Sequence, residues 1–225
     1  MTFSMPSILV INPNSSRSVS VTLKQILRPP TEFHYDYFTG PEGGPLQIDS
    51  VTTEITSAAN CLPALIPLLD KYEGFLVACY SDHPLVHCLK EQTSKPVLGI
   101  FQASVLHSIA LGGKFAIVTT VKIWEVLLSD AVRAFLGSET LFAGTFSTGL
   151  GVLELHDASA DVVSQRIGDA AIRAVANGAS VICLGCAGMA GMEEAITKAV
   201  GDKIRVVDGV VAGVEILVGL IRSGH

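Results

Sequence analysis

The chain has 225 residues, room for one large or two small domains. Hydrophobic residues make up 49% of it, which sets it well apart from disordered chains. The formal net charge is −6 and no lysine or arginine run occurs, so nucleic acid and anionic membrane are not expected as partners.

Ser7-Ile-Leu-Val-Ile-Asn12 is an apolar run with an abrupt polar end and predicts the first strand. Pro13-Asn-Ser-Ser16 is a turn and N-cap cluster. A helix over 17–27 follows, stopped by Pro29 and Pro30. Residues 33–38 alternate like a strand, and the Gly/Pro-rich stretch 40–45 is a loop. The spacing predicts a helix over 50–69, complicated by Pro63 and Pro67, then a strand over 74–79 and a helix over 84–93.

A second cycle starts at Pro96. It reads as a strand over 97–100, a helix over 101–110 closed by Gly112 and Gly113, and a strand over 114–120. Amphipathic helices are expected over 122–136 and 159–177, the latter closed by Gly178. A strand over 181–185, a helix over 189–200, a strand over 204–208 and a helix over 209–221 complete the chain. That last apolar tract is broken by Glu215 and is too short for a membrane span of about 20 residues. The segment Met1-Thr-Phe-Ser-Met-Pro-Ser7 has no basic region followed by a long apolar stretch, so no signal peptide is expected and the location is read as cytoplasmic.

Strands alternating with helices imply α/β architecture. The order of features in the two halves is similar. We therefore expect two pseudo-symmetric lobes, each a mostly parallel sheet flanked by helices, with the active site in the cleft between them. Residues 1–95 plus 209–225 would form the first lobe and 96–208 the second.

Five cysteines (61, 79, 88, 183 and 186) are an odd number, better read as reduced thiols than as a disulfide framework. Cys61, Cys88 and Cys183 read as small buried hydrophobes. Cys183 and Cys186 have Cys-x-x-Cys spacing, but Cys183 falls inside a strand, which disfavours redox use. Cys79 and Cys186 differ from the rest. Each follows a buried strand and precedes small or turn-forming residues able to open a helix. Such strand ends are where α/β sheets place ligands, and a helix N-terminus lowers a thiol's pKa toward the range of acid–base catalysis. Two such thiols facing one cleft supply a proton acceptor and a proton donor on opposite sides of a carbon. No metal or other cofactor is needed, and the six histidines show no metal-binding spacing.

Ile8-Leu-Val-Ile-Asn-Pro-Asn-Ser-Ser16, Ala78-Cys-Tyr-Ser-Asp82, Val118-Thr-Thr120 and Leu184-Gly-Cys-Ala-Gly-Met189 together resemble the Asp/Glu/hydantoin racemase superfamily, and within it the hydantoin and allantoin racemase branch. The resemblance implies that Cys79 and Cys186 act as opposed acid and base on a 5-substituted hydantoin, without a cofactor, in a homo-oligomer. Amino-acid racemases of the superfamily carry Asn-Thr after the first cysteine and Thr-His after the second. This chain has Tyr80-Ser81 and Ala187-Gly188, which removes polar anchors for a free amino acid.

Further residues are expected around the ligand, each with a plainer alternative. Asn12 either bonds a ring carbonyl or N–H or closes the turn before Pro13. Thr119 and Thr120 divide substrate binding and helix capping between them. Ser81 either donates to a ring oxygen or caps a helix. Pro45 belongs to a loop that is either a pocket wall or a connector. Gly185, Ala187 and Gly188 would line the ligand at the second thiol, the glycines letting backbone N–H groups approach closely. His83 reads as a surface or helix-start residue rather than a base. Two further readings stay open: another reaction of the superfamily on this fold, namely amino-acid racemisation, decarboxylation or isomerisation, or a non-catalytic protein that binds a small molecule.

Overall fold

The computed structural model describes residues 5–224, with only the backbone of His156, so the N-terminal reading lies partly outside the described residues. In chain order the elements are β1 (Ser7–Asn12), α1 (Arg17–Ile26), β2 (His34–Thr39), α2 (Val51–Leu65), β3 (Gly74–Val77), α3 (Pro84–Gln92), β4 (Val97–Gly99) and α4 (Ile100–Leu111). Then come β5 (Phe115–Thr119), α5 (Ile123–Leu136), β6 (Phe142–Ser147), α6 (Glu154–Asp157), α7 (Ala160–Ala176), β7 (Val181–Leu184), α8 (Glu193–Val200), β8 (Arg205–Asp208) and α9 (Gly209–Arg222). Tight 3-10 turns lie at Ile66–Lys71 and Ala187–Met189.

Two four-stranded sheets result, in the orders β2-β1-β3-β4 and β6-β5-β7-β8, with every pairing parallel. The orders are the same, and the detail repeats as well. The Ala78 N–H donates to the Ile11 carbonyl at 2.7 Å, and 107 residues on the Gly185 N–H donates to the Val118 carbonyl at 2.7 Å. The same interval separates Cys186 from Cys79.

Strand alternation distributes the core. Ile8 and Val10 of β1 and Val181 and Cys183 of β7 face inward, onto one continuous core that also takes in Phe101 of α4 and Val214 and Leu217 of α9. Leu9, Ile11, Phe75 and Val77 face α2 and α3 on one outer side. Ala116, Val118, Ile182 and Leu184 face α7 and α8 on the other. Each large side chain buried in this way stabilises the fold by about 1.5–3 kcal/mol. Helices α4 and α9 thus fill the space between the sheets.

Two expectations need correction. The strand at 97–99, read as opening the second lobe, pairs with β3 and completes the first sheet. Strand β6 was not foreseen at all. It is an edge strand in which only Phe142, Thr145 and Ser147 are buried, so it carries no apolar run. Elsewhere local chemistry explains the ends. Ser50 and Thr53 cap α2 reciprocally, each hydroxyl accepting from the other's backbone N–H, at 3.3 Å and 3.0 Å. Past Pro63 the helix tightens into the turn at Ile66–Lys71. The Asp208 carboxylate accepts from the Val210 and Val211 N–H groups and starts α9.

Candidate active site

In an open parallel sheet, chain crossovers leave the central strand in opposite directions and open a crevice at the strands' carboxyl ends. In the first sheet that switch falls between β1 and β3, and in the second between β5 and β7. Cys79 stands two residues beyond β3 and Cys186 two residues beyond β7. Both line a single narrow cleft, of about 30 Å³ within its walls.

The thiols have different neighbours. The Cys186 side chain accepts a hydrogen bond from the Gly188 N–H at 3.3 Å. The Cys79 sulfur lies 3.8 Å from the Ser81 hydroxyl. Burial pushes the Cys186 thiol up to about 11, against the pull of the Gly188 and Met189 N–H groups. Burial pushes Cys79 still higher, and the Glu54 carboxylate and Cys186 add to the rise. The expectation of lowered thiol pKa values is therefore overturned. Helix α3 starts only at Pro84, and Cys186 opens a three-residue turn rather than a long helix. With so few aligned N–H groups, desolvation wins.

Thr120, Gly185, Ala187 and Gly188 line the cleft. Thr119, Asn12, Pro45 and Ser81 do not. The Thr119 hydroxyl donates to the Gly185 carbonyl at 2.9 Å and so ties β5 to the turn carrying Cys186. Asn12 is buried and fully used: its Nδ2 donates to the Ser16 carbonyl and the Ser20 hydroxyl, and its Oδ1 accepts from the Asn14 N–H. The turn-closing alternative holds there. The Pro45 carbonyl accepts from the Ser15 N–H at 2.9 Å, docking its loop on the first turn; the loop reaches the cleft through Ile48. Ser81 lines an adjoining cavity with Glu54 and Asp82.

His83 is not at the surface. It is fully buried and caps α3, its Nδ1 accepting from the Leu85 N–H at 3.2 Å. Nε2 must then carry the proton, which it gives to the Ser57 hydroxyl at 3.0 Å. Burial lowers the ring to about 4, so it is neutral and committed to structure.

Cys61 and Cys183 are fully buried core residues, as expected. Sequence reasoning missed Asn14, Tyr80, Ile48, Trp124 and Val152, which also line the cleft. Tyr80 adjoins Cys79 and Asn14 sits in the first turn motif, so nearness in sequence could have flagged both. Ile48, Trp124 and Val152 come from distant segments with no local signal. Asn14 uses its Oδ1 on the Ser16 N–H at 2.9 Å, which leaves its Nδ2 for a ligand. Among the described residues no group of His, Cys, Asp and Glu could hold a metal, and no helix is long and apolar enough to cross a membrane.

The family model described as Asp/Glu/Hydantoin racemase matches residues 8–217. An uncharacterized protein of Schizosaccharomyces pombe is 44% identical over 97% of this chain and 93% of its own. A hydantoin racemase of Pseudomonas sp. (strain NS671) is 31% identical over 96% of this chain and 86% of its own. The crystal structure of allantoin racemase from Pseudomonas fluorescens superposes with a TM-score of 0.86 at 27% identity, covering 97% of this chain and 92% of that one.

Proposed function

The chain belongs to the Asp/Glu/hydantoin racemase family, and on that premise we propose that it is a cofactor-independent racemase of 5-substituted hydantoins, with allantoin as substrate and Cys79 and Cys186 as its two bases. The observation that carries this reading is the pair of thiols, one at the switch point of each sheet, lining one cleft. One sulfur, as thiolate, takes the proton from the ring carbon next to the carbonyl. The other, as thiol, returns a proton to the opposite face. Roles exchange for the opposite enantiomer. The hydantoin and allantoin racemases among the relatives support the ring as substrate.

The cleft supports a neutral ring better than a free amino acid. Asn14 Nδ2 and the Thr120 hydroxyl offer hydrogen bonds, while Ala187 and Gly188 present no side-chain donor for a carboxylate. Ile48, Trp124 and Val152 form an apolar wall. We also read the protein as a homo-oligomer of the reducing cytoplasm, in keeping with its free cysteines.

Incubation with single enantiomers of allantoin and of 5-benzylhydantoin in deuterated water tests the reading. Racemisation with deuterium entering the stereocentre is expected. Cys79→Ser and Cys186→Ser should each lower racemisation by about 10²–10⁴-fold, the span of a lost general acid or base. Unimpaired racemisation in either variant refutes the two-cysteine assignment, and activity only on aspartate or glutamate refutes the substrate class.

A further inference from the structure

The main cleft holds about 30 Å³ within its walls, too little for a ring and its 5-substituent together. Racemisation flattens the reacting carbon, so the substituent swings into the ring plane and leaves the cleft edgewise. A second cavity of about 150 Å³ lies beside the first. Trp124 is a wall of both. The two also meet at the Cys79 loop, where the Ser81 hydroxyl on the second cavity stands 3.8 Å from the Cys79 sulfur on the first.

Much of that cavity is apolar, with Trp124, Leu128 and Ala131 from α5 and Val51 from α2. Its two acids differ in what they hold. Asp82 Oδ1 already accepts from Gln102 Nε2 at 2.7 Å and from the His87 ring at 2.9 Å. Glu54, on α2, is only 7% exposed, and its Oε1 is buried with no hydrogen-bond partner among the described residues. Leaving such an oxygen unpaired is costly. An apolar pocket with one convergent acceptor orients a ligand by its N–H donors. A ureido group, –NH–CO–NH₂, has the matching chemistry. Its two N–H donors lie parallel and can reach both oxygens of one carboxylate. It is neutral, so it enters a desolvated space with no charge to strip of water. An alkyl group of the same shape would fill the space and leave the oxygen orphaned.

We propose that this second cavity receives the 5-substituent of the hydantoin, and that Glu54 selects substituents with urea-type N–H donors over alkyl groups of the same shape. The proposal rests on the hydantoin reading and adds to it the residue that reads the substituent.

The test is isothermal titration calorimetry with racemic ligands, whose composition turnover does not change. Allantoin is compared with 5-isobutylhydantoin, in which CH₂ replaces the ureido N–H and two methyl groups replace its oxygen and NH₂. The natural protein should bind allantoin the more tightly. Glu54→Leu should lower the ratio of allantoin to isobutylhydantoin affinity by about 10–100-fold, the range for hydrogen bonds to a charged group. Glu54→Gln keeps one acceptor oxygen and should lower it less. Taking the ratio cancels any effect of the variant on the fold that both ligands share. Ala131→Leu probes the cavity without touching Glu54: filling it from α5 should weaken allantoin relative to unsubstituted hydantoin by about tenfold. Tighter binding of isobutylhydantoin by the natural protein overturns the proposal, whether or not any variant folds. So does a folded Glu54→Leu protein with the natural ratio, or an Ala131→Leu protein that still favours allantoin over hydantoin to the natural extent. A protein that shows the expected ratios but racemises neither ligand defeats the racemase reading and leaves the subsite standing.

Discussion

Acid should weaken this fold in part through one buried ring. His83 is buried, and its Nδ1 accepts from the Leu85 N–H, so an added proton would replace an acceptor by a donor pointing at a donor. Its folded pKa is lowered from 6.5 to about 4. The unfolded chain takes up the proton first, so stability is intact above the unfolded value and falls as pH drops toward the folded one. That separation corresponds to about 3 kcal/mol in full, of which about 2 kcal/mol is lost by about pH 5. Glu54 and Asp208 have raised values and shift the other way, gaining relative stability as pH falls. They are unchanged in His83→Asn, whose amide oxygen can still cap α3. Urea unfolding of both proteins at about pH 7.5 and about pH 5 isolates the ring, because the common contributions cancel in the difference. The natural protein should lose about 2 kcal/mol more than the variant. Equal losses would refute the argument that a neutral, proton-resistant imidazole holds the first cysteine's loop.

Two substitutions probe how the site is held. A Cβ on Gly185 would lie 2.6 Å from both Ile117 Cγ2 and the Val118 carbonyl oxygen, so Gly185→Ala must displace the turn that carries Cys186. We expect a loss of about 1–3 kcal/mol in unfolding free energy and a fall in kcat larger than partial unfolding explains; full activity with an unchanged Tm contradicts the packing. The Tyr80 hydroxyl donates to Ser104 Oγ at 2.5 Å, since the Ser104 hydrogen goes to the Phe101 carbonyl. Tyr80→Phe should cost about 1 kcal/mol in chemical denaturation, because Ser104 keeps its own acceptor.

The strands that build the site were legible because parallel strands buried on both faces read as unbroken apolar runs, as in Ile8–Ile11 and Phe115–Val118. The abrupt polar turn after each run marked where Cys79 and Cys186 would stand. What stayed hidden is non-local. Strand β4 has three residues, and nothing within them says which sheet accepts them. Strand β6 lacks the pattern because Gly144 and Thr145 stand at its centre and only Phe142, Thr145 and Ser147 of it are buried. Trp124 reaches the cleft from the first turn of α5, where a helical apolar residue reads as ordinary core. Glu54 lies in a helix with no sequence sign that its face is buried. The ionisation of the thiols was misread for the same reason. A helix N-terminus can be inferred along the chain, but the burial that desolvates each sulfur arises only once the fold is complete.

Desolvation of the two thiols has a kinetic consequence. The proposed racemisation by this pair would need one thiolate and one thiol at once, and burial puts ionisation of the free pair far above neutrality, Cys186 at about 11 and Cys79 higher still. A raised pKa keeps the thiol protonated below it, so the competent form grows about tenfold per pH unit as pH rises. The logarithm of kcat/KM should therefore climb with a slope near one from about pH 6 to about pH 9, and the limiting value belongs to the coupled pair rather than to either sulfur. Ionisation of the hydantoin's own ring N–H is removed from the profile by using an N-methylated substrate. A kcat/KM that is level over this range would mean the thiolate already exists near neutrality. The Gly188 and Met189 N–H groups would then outweigh burial, and the desolvated picture of the cleft would fall.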